Sequence, residues 1–222
     1  MKKLNNLSCN FFDLFVIGRT QNNQMNEEGT RPSCKIVLLG NSGVGKTSLV
    51  TRWTTGSYQK SIKPTIGANH QRKSVTVGKN EYDLYLWDTA GQEQFQALTP
   101  LYARSAAAAI ITASIDDVES FSSLQTWINL LNSACEKVPP MILAVNKIDL
   151  VDQSVYSSDE VESRFGSSFE AVFFVSAATG EGVETCFMQA AQSGVAFTKN
   201  SLTPERKLLA SEKSDNKKDG CC

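Results

Sequence analysis

The chain has 222 residues, enough for one domain of ordinary size with additional tails. Its formal net charge of −1 gives no long-range attraction to nucleic acid, so we expect no nucleic-acid partner. The six cysteines show no C-x-x-C spacing, which favours a reducing compartment, and no apolar run is long enough to span a bilayer.

Residues 1–32 differ in composition from the rest and are predicted to form a disordered N-terminal extension. They are rich in asparagine and glutamine and contain one apolar patch, at 11–17. Two lysines precede the patch, but asparagines interrupt the apolar core that a signal peptide needs. Two alternatives remain open: a segment that touches a membrane or a partner, and a chain whose translation begins at Met25.

A glycine-rich loop lies between a predicted strand and a predicted helix. Residues 35–39 are an apolar run typical of a buried strand, and residues 47–54 have helical character. The loop between them, GNSGVGKT at 40–47, fits the pattern G-x-x-x-x-G-K-[ST]. Its glycines let backbone N–H groups approach phosphate oxygens, and the helix N-terminus adds partial positive charge. The pattern predicts a polyphosphate site in which Lys46 reaches the β- and γ-phosphates and Thr47 binds Mg²⁺.

The rest of the chain is predicted to alternate strands and helices. Pro64 excludes helix from residues 56–69 and predicts an extended loop. Strands are predicted at 71–77, 81–87, 106–113, 141–145 and 171–175, and helices at 117–137, 158–165 and 182–197. This order predicts an α/β fold with ligand-binding loops at the carboxyl ends of its strands.

Five motifs in this order resemble those of the small GTPases of the Ras superfamily. They are the loop at 40–47, Thr65, the run Asp88–Gln92, the run Asn146–Asp149, and Ser176 with Ala177. The run WDTAGQE at 87–93, Tyr102 and the pair Cys221 and Cys222 are similar to the Rab branch. The resemblance covers residues 33–198. It implies a three-layer P-loop NTPase G domain, in which a mostly parallel six-stranded sheet carries helices on both faces.

The resemblance implies roles for residues at the phosphate end of a bound GTP or GDP. In the family, the threonine that matches Thr65 closes on Mg²⁺ and the γ-phosphate, and the carboxylate that matches Asp88 holds Mg²⁺ through a water. Gly91 matches the residue whose N–H contacts the γ-phosphate, and Gln92 matches the catalytic glutamine that orients the attacking water. The implied phosphate-binding residues are Ser42, Gly43, Val44, Gly45, Lys46, Thr47, Ser48, Thr65 and Gly91, and the implied Mg²⁺-binding residues are Thr47, Thr65 and Asp88.

The run Asn146-Lys147-Ile148-Asp149 matches the motif that identifies guanine. The Asp149 carboxylate would accept hydrogen bonds from N1–H and from the exocyclic amine, a donor pattern that adenine does not present. The aliphatic stem of Lys147 can lie over the plane of the base. Asn146, Lys147 and Asp149 are therefore predicted nucleotide-binding residues.

A second loop, Ser176-Ala177, matches the one whose backbone N–H binds guanine O6. The family usually has a lysine at the next position, where this chain has Ala178. One apolar contact to the base is therefore missing. We expect faster nucleotide exchange as a result, rather than loss of binding.

Four residues are predicted to form a surface that effectors recognise: Ile66, His70, Trp87 and Tyr102. In Rabs a phenylalanine usually joins the matching tryptophan and tyrosine, and here its position is taken by His70, the only histidine. Two interpretations of His70 remain open, an ordinary surface residue and a pH sensor, and we favour the first. The departure leaves the identity of effectors and exchange factor open.

Residues 199–222 are predicted to be a flexible hypervariable tail, because they are polar and contain few apolar residues. The terminal Cys221 and Cys222 resemble a double geranylgeranylation site, and two lipid chains anchor a protein stably where one does not. The resemblance implies prenylation machinery and a lipid-masking chaperone as partners. It places the protein on the cytoplasmic face of an endomembrane, with a cytosolic pool.

These features together predict a monomeric Rab-type switch that hydrolyses GTP slowly, with Mg²⁺ as cofactor. Its further partners would be a guanine nucleotide exchange factor, a GTPase-activating protein and Rab effectors in vesicle traffic. One alternative is a guanine-nucleotide-bound scaffold with little or no hydrolysis. Another is a P-loop nucleotide phosphotransferase, which the guanine motif disfavours.

Overall fold

The computed structural model describes residues 31–211. The predictions made for residues 1–30 and for the end of the tail, including Cys221 and Cys222, lie outside these described residues. Within them, no helix is long and apolar enough to cross a bilayer.

Six strands form one sheet, as predicted. They are β1 (Ser33–Leu39), β2 (Ala68–Val77), β3 (Asn80–Thr89), β4 (Ala108–Ser114), β5 (Met141–Asn146) and β6 (Ala171–Phe174). The strand order is β2-β3-β1-β4-β5-β6, and only the edge pair β2–β3 is antiparallel. The mostly parallel sheet confirms the predicted α/β fold class.

Helices cover both faces of the sheet. They are α1 (Lys46–Thr55), α2 (Thr99–Ala103), α3 (Val118–Ser122), α4 (Leu124–Ala134), α5 (Ser158–Phe165) and α6 (Val183–Ser211). Two apolar cores result, one under α1 and α6 and the other under α3, α4 and α5. The side chains of β1 alternate between the two cores: Ile36 and Leu38 belong to the first, and Val37 and Leu39 to the second. Burial on both faces explains why this strand is a continuous apolar run.

Two helices differ from the prediction. The single helix predicted at 117–137 is two helices, separated at Ser123, which accepts a hydrogen bond from Asn41 Nδ2 at 3.0 Å. The last helix was predicted to end with its apolar residues at Phe197, but its backbone remains helical to Ser211. The domain boundary at residue 198 stays a prediction.

Candidate functional site

The loop between β1 and α1 wraps around the ammonium group of Lys46. Lys46 Nζ donates to the backbone oxygens of Gly40 at 2.7 Å and Asn41 at 2.8 Å. The side chain is only 5% exposed, and burial lowers the pKa of Lys46 to about 8. Gly45 has a φ of +96°, and a Cβ there would lie 2.3 Å from Asn146 Nδ2. The loop therefore holds a buried cation inside a backbone turn that admits no side chain at Gly45.

Three oxygen-bearing side chains meet beside this loop. Thr47 Oγ1 donates to Asp88 Oδ2 at 2.7 Å and lies 2.9 Å from Thr65 Oγ1. The Thr65 hydroxyl also lies 3.4 Å from Asp88 Oδ2. Burial raises the pKa of Asp88, against the opposing effects of its Thr47 bond and of nearby Lys46.

The second carboxylate oxygen of Asp88 indicates which kind of ligand this cluster could bind. Oδ1 is buried and has no hydrogen-bond partner within the described part of the chain. Two hydroxyls and a carboxylate with a spare oxygen are the hard ligands that Mg²⁺ prefers. The residues present thus fit the magnesium ion expected from the sequence, with Thr47, Thr65 and Asp88 as the groups that would hold it.

Replacing Asp88 with Asn should weaken Mg²⁺ binding by at least about tenfold, because the neutral amide removes the only carboxylate of the cluster. The measurement is the Mg²⁺ concentration that halves the rate of nucleotide release. Asp83, a carboxylate five residues earlier on β3 that pairs with Arg72 at 2.6 Å, is the control position. An Asp88→Asn protein with the Mg²⁺ dependence of the Asp83→Asn protein would contradict the assignment.

The side chain of Asn146, at the end of β5, joins the loop after β1 to the loop after β6. Its Nδ2 donates to Val44 O at 2.8 Å, and its Oδ1 accepts from the backbone N–H of Ala177 at 3.1 Å. Because Asn146 is buried, both bonds are shielded from water. This amide fixes the distance between the loop at 40–47, here called the phosphate loop, and the Ser176-Ala177 loop.

Asp149 is oriented by the same loop. Ser176 Oγ donates to Asp149 Oδ1 at 2.5 Å, and Ser176 Oγ in turn accepts from the backbone N–H of Thr179 at 3.1 Å. Lys147 has a φ of +67°, and its Nζ lies 3.4 Å from Asp116 Oδ1. The carboxylate expected to recognise guanine is thus positioned by hydroxyl and backbone contacts.

A cavity of about 710 Å³ connects the two ends of this site. Its volume lies within the usual range for small-molecule sites. Twelve of the fourteen predicted nucleotide-binding residues line it: Ser42, Gly43, Gly45, Lys46, Thr47, Ser48, Thr65, Gly91, Asn146, Lys147, Asp149 and Ala177. The other two, Val44 and Ser176, lie behind the wall and hold lining residues through the bonds described above.

Gly91 and Gln92 are placed differently from each other. Gly91 packs so closely against the phosphate loop that a Cβ would lie 2.4 Å from Asn41 C and Ser42 N. Gln92 does not line the cavity, and its Oε1 accepts from Gln94 Nε2 at 2.8 Å. The predicted catalytic side chain is therefore held by a neighbour rather than aimed at the cavity.

Three of the four predicted effector residues form a continuous aromatic stack. His70 and Trp87 are paired on neighbouring strands, with ring centroids 5.7 Å apart, and Trp87 stacks on Tyr102 at 5.8 Å. Ile66 is 80% exposed next to them, and Lys35 Nζ lies 4.7 Å from the Trp87 ring. A histidine can stand in the stack because its ring is planar like that of phenylalanine.

Sequence analysis missed two side chains that support the site. Asn41 lies within the phosphate loop, and its Oδ1 accepts from the indole N–H of Trp127 at 2.9 Å. Arg52, on α1, donates to backbone oxygens of the loop after β6. No sequence pattern could identify either contact, because the partners are distant in the chain or are backbone carbonyls.

Comparison with known proteins gives one consistent result. The sequence model of the Ras family matches residues 35–195. Ras-related protein Rab-22A from Homo sapiens is 41% identical over 143 residues, which cover 63% of this chain and 71% of that protein. Ras-related protein Rab-31 from Rattus norvegicus is 42% identical over 118 residues, 53% of this chain and 60% of the relative. Ras-related protein Rab-18 from Lymnaea stagnalis is 35% identical over 165 residues, 73% of this chain and 81% of that one.

Proposed function

The chain belongs to the Ras family as a Rab-type small GTPase, and on that premise we propose that it switches between GTP- and GDP-bound states to recruit effectors in vesicle traffic. The observation that carries the proposal is the cavity itself. It has a buried lysine and a hydroxyl–carboxylate cluster at one end, and Asn146, Asp149 and Ala177 at the other. That spacing of charge and hydrogen-bonding groups suits a nucleotide whose phosphates and base bind at opposite ends.

In this proposal the chain's own residues divide the work of binding. The ammonium of Lys46 donates two of its three N–H groups to Gly40 O and Asn41 O and has the third for a phosphate oxygen, and Asp149 would accept from the base. Mg²⁺ would supply positive charge that neutralises the phosphate oxygens. The Thr65 hydroxyl, already within 2.9 Å of Thr47, belongs to the loop that would respond to loss of the γ-phosphate.

Hydrolysis should be slow in the isolated protein. The sequence assigns no arginine as a group that stabilises the transition state, and Gln92 Oε1 already accepts a hydrogen bond from Gln94 that competes with a water. A GTPase-activating protein would supply the missing charge. The same contact favours a second candidate, a guanine-nucleotide-bound scaffold with little hydrolysis. Single-turnover GTP hydrolysis, with and without Gln94→Ala, separates the two, because only a catalytic Gln92 should gain rate when it is released.

The remaining partners follow from the Rab premise. We propose an exchange factor, effectors that read the stack of His70, Trp87 and Tyr102, and a monomeric protein. Residues 33–198 would form the G domain between an N-terminal extension and the tail at 199–222. The protein would lie on the cytoplasmic face of an endomembrane, with a cytosolic pool bound to a lipid-masking chaperone.

The first test is the nucleotide that remains bound when the full chain is purified and then denatured. Stoichiometric GDP is the expected result. ADP would contradict the guanine assignment of Asp149 and return attention to a phosphotransferase. An empty site would contradict tight nucleotide binding and remove the basis for a switch.

The tail gives a prediction that does not depend on the cavity. Changing both Cys221 and Cys222 to Ser should remove most of the protein from the membrane fraction of cells, because the double substitution leaves no terminal thiol for prenylation. Cell fractionation measures it. The Cys135→Ser protein is the control, since Cys135 lies within the folded domain and should leave fractionation unchanged. Unaltered membrane recovery of the double variant would contradict lipid anchoring.

A further inference from the structure

The guanidinium of Arg52 donates hydrogen bonds to backbone carbonyls of two different segments. Nε donates to Ala177 O at 2.7 Å, and Nη2 donates to Ala178 O at 2.5 Å. Nη1 donates to Gly56 O at 2.7 Å, just past the end of α1. The planar fork of arginine suits such multiple bonding, whereas a lysine ammonium is a single compact donor group.

The position of Arg52 on α1 gives these bonds a consequence. The helix begins at Lys46, in the phosphate loop, and Arg52 lies about 9 Å further along its axis. A rigid helix therefore connects the phosphate end of the cavity to the loop at its base end. Asn146 makes the second connection between these ends, through Val44 O and the Ala177 N–H.

The Ala177-Ala178 segment is held on its N–H side by Asn146 Oδ1, which accepts from Ala177 N–H at 3.1 Å, and on its carbonyl side by Arg52. Both side chains are single methyl groups, and Ala178 stands where the resemblance to the family implies a lysine that contacts the base. The carbonyls of both residues point to Arg52, and the α-carbon of nearby Gly180 lies beside the same side chain, with a Cβ position 3.7 Å from Arg52 Cδ. Arg52 thus fixes the backbone of this segment, which the two methyl side chains alone would fix less firmly.

We propose that Arg52 is a positioning residue for base recognition, because it holds the Ala177-Ala178 loop at a fixed distance from the phosphate loop. The inference rests on the proposed guanine-nucleotide function. Without Arg52, the loop loses two charge-assisted hydrogen bonds and Ser176 moves with it. Because Ser176 Oγ orients Asp149, the carboxylate then selects less well for the exocyclic amine of guanine.

The test compares GDP with inosine diphosphate, which lacks that amine, on the full chain. For Arg52→Ala we expect GDP release about tenfold faster than in the wild type, from the loss of charged hydrogen bonds. We expect the ratio of inosine diphosphate to GDP dissociation constants to fall at least about threefold, because discrimination depends on the orientation of Asp149. Arg52→Lys should lie between the two proteins in both measurements.

Arg164→Ala is the matched control, because Arg52 and Arg164 each lie over a tyrosine ring, that of Tyr58 and that of Tyr156, but Arg164 pairs with Glu160 on its own helix and not with the loop after β6. It should leave both values unchanged. Equal acceleration of both nucleotides with an unchanged ratio would overturn the inference, since a general loss of structure acts that way. A rate of GDP release and a ratio of dissociation constants that both equal the wild-type values would also overturn it. If Arg52→Ala does not fold, Arg52→Lys is judged by the same two values. Failure of the wild type to bind either nucleotide would instead refute the proposed function.

Discussion

Replacing Lys46 with Met should reduce GDP affinity by roughly a hundredfold to several thousandfold. The ammonium is buried among backbone carbonyls, and in the proposed nucleotide-bound state it would neutralise phosphate charge. Removing one partner of such a buried charge pair typically costs about 3–5 kcal/mol. Methionine keeps the length of the side chain, so the loss reports on charge and hydrogen bonding more than on packing. Isothermal titration with GDP measures it.

The same substitution has a second effect, on the pH dependence of the nucleotide-free protein. Burial lowers the pKa of Lys46 from 10.5 to about 8, so between these values the unfolded chain binds a proton that the folded chain does not. Lys46 therefore costs stability below pH 8, and that cost disappears as pH rises toward 10.5. The free energy of unfolding of the wild type should rise by up to about 3 kcal/mol relative to Lys46→Met across this window.

Lys35 provides a matched control for both effects. Burial also lowers the pKa of Lys35 to about 8, but its Nζ donates to Arg104 O at 2.8 Å, outside the cavity. Lys35→Met should show the same direction of pH dependence and keep its GDP affinity. Urea unfolding at several pH values, with the wild type in parallel, makes the comparison. Lys35→Met also removes a nearby positive charge that opposes the raised pKa of Cys135, so the comparison of Lys46→Met with the wild type carries the prediction. Wild-type GDP affinity in Lys46→Met would contradict the phosphate assignment.

The helices show what local sequence can and cannot predict. Helix α5 was predicted at its observed bounds, and the cause of its start is local: Ser157 and Glu160 form a capping box within four residues. The break at Ser123 was not predicted, and Asn41, which donates to the Ser123 side chain, is 82 residues away. Local signals place an element where its causes are local, and a contact made across the fold leaves no such signal.

The site divides in the same way. The phosphate loop and the guanine motif were predictable because their chemistry requires particular residue types at fixed spacing. The contacts of Arg52 were not, because a backbone carbonyl of Ala177 or Ala178 is the same for every residue type. The hydrogen bond from Gln94 to Gln92 was also missed, since it depends on the local fold of residues 93–98. Motifs predicted the groups that would touch a nucleotide, and only the structure shows what holds those groups in place.

Replacing Gly91 with Ala should lower the preference for GTP over GDP by roughly tenfold to a hundredfold. A Cβ at this position would lie 2.4 Å from Asn41 C and Ser42 N and 2.5 Å from Asn41 O. All three are backbone atoms, so no side-chain rotation can relieve the contact, and Gly91 must move away from the phosphate loop. If its N–H contacts the γ-phosphate, that charge-assisted bond is lost, which costs about 1.5–3 kcal/mol. GDP, which has no γ-phosphate, should keep most of its affinity.

The control is Gly166→Ala, where an added Cβ would find its nearest neighbour at 3.9 Å, an ordinary contact. Neither glycine occupies the left-handed region, so alanine strains the backbone at neither position and only the steric contact differs. Affinities for GDP and for a non-hydrolysable GTP analogue are measured on both variants. A selective loss of affinity for the analogue in Gly91→Ala means that the segment after β3 has moved and that the Gly91 N–H contacts the γ-phosphate. An equal loss of both nucleotides means that the phosphate loop moved instead, and the γ-phosphate role of Gly91 is then wrong.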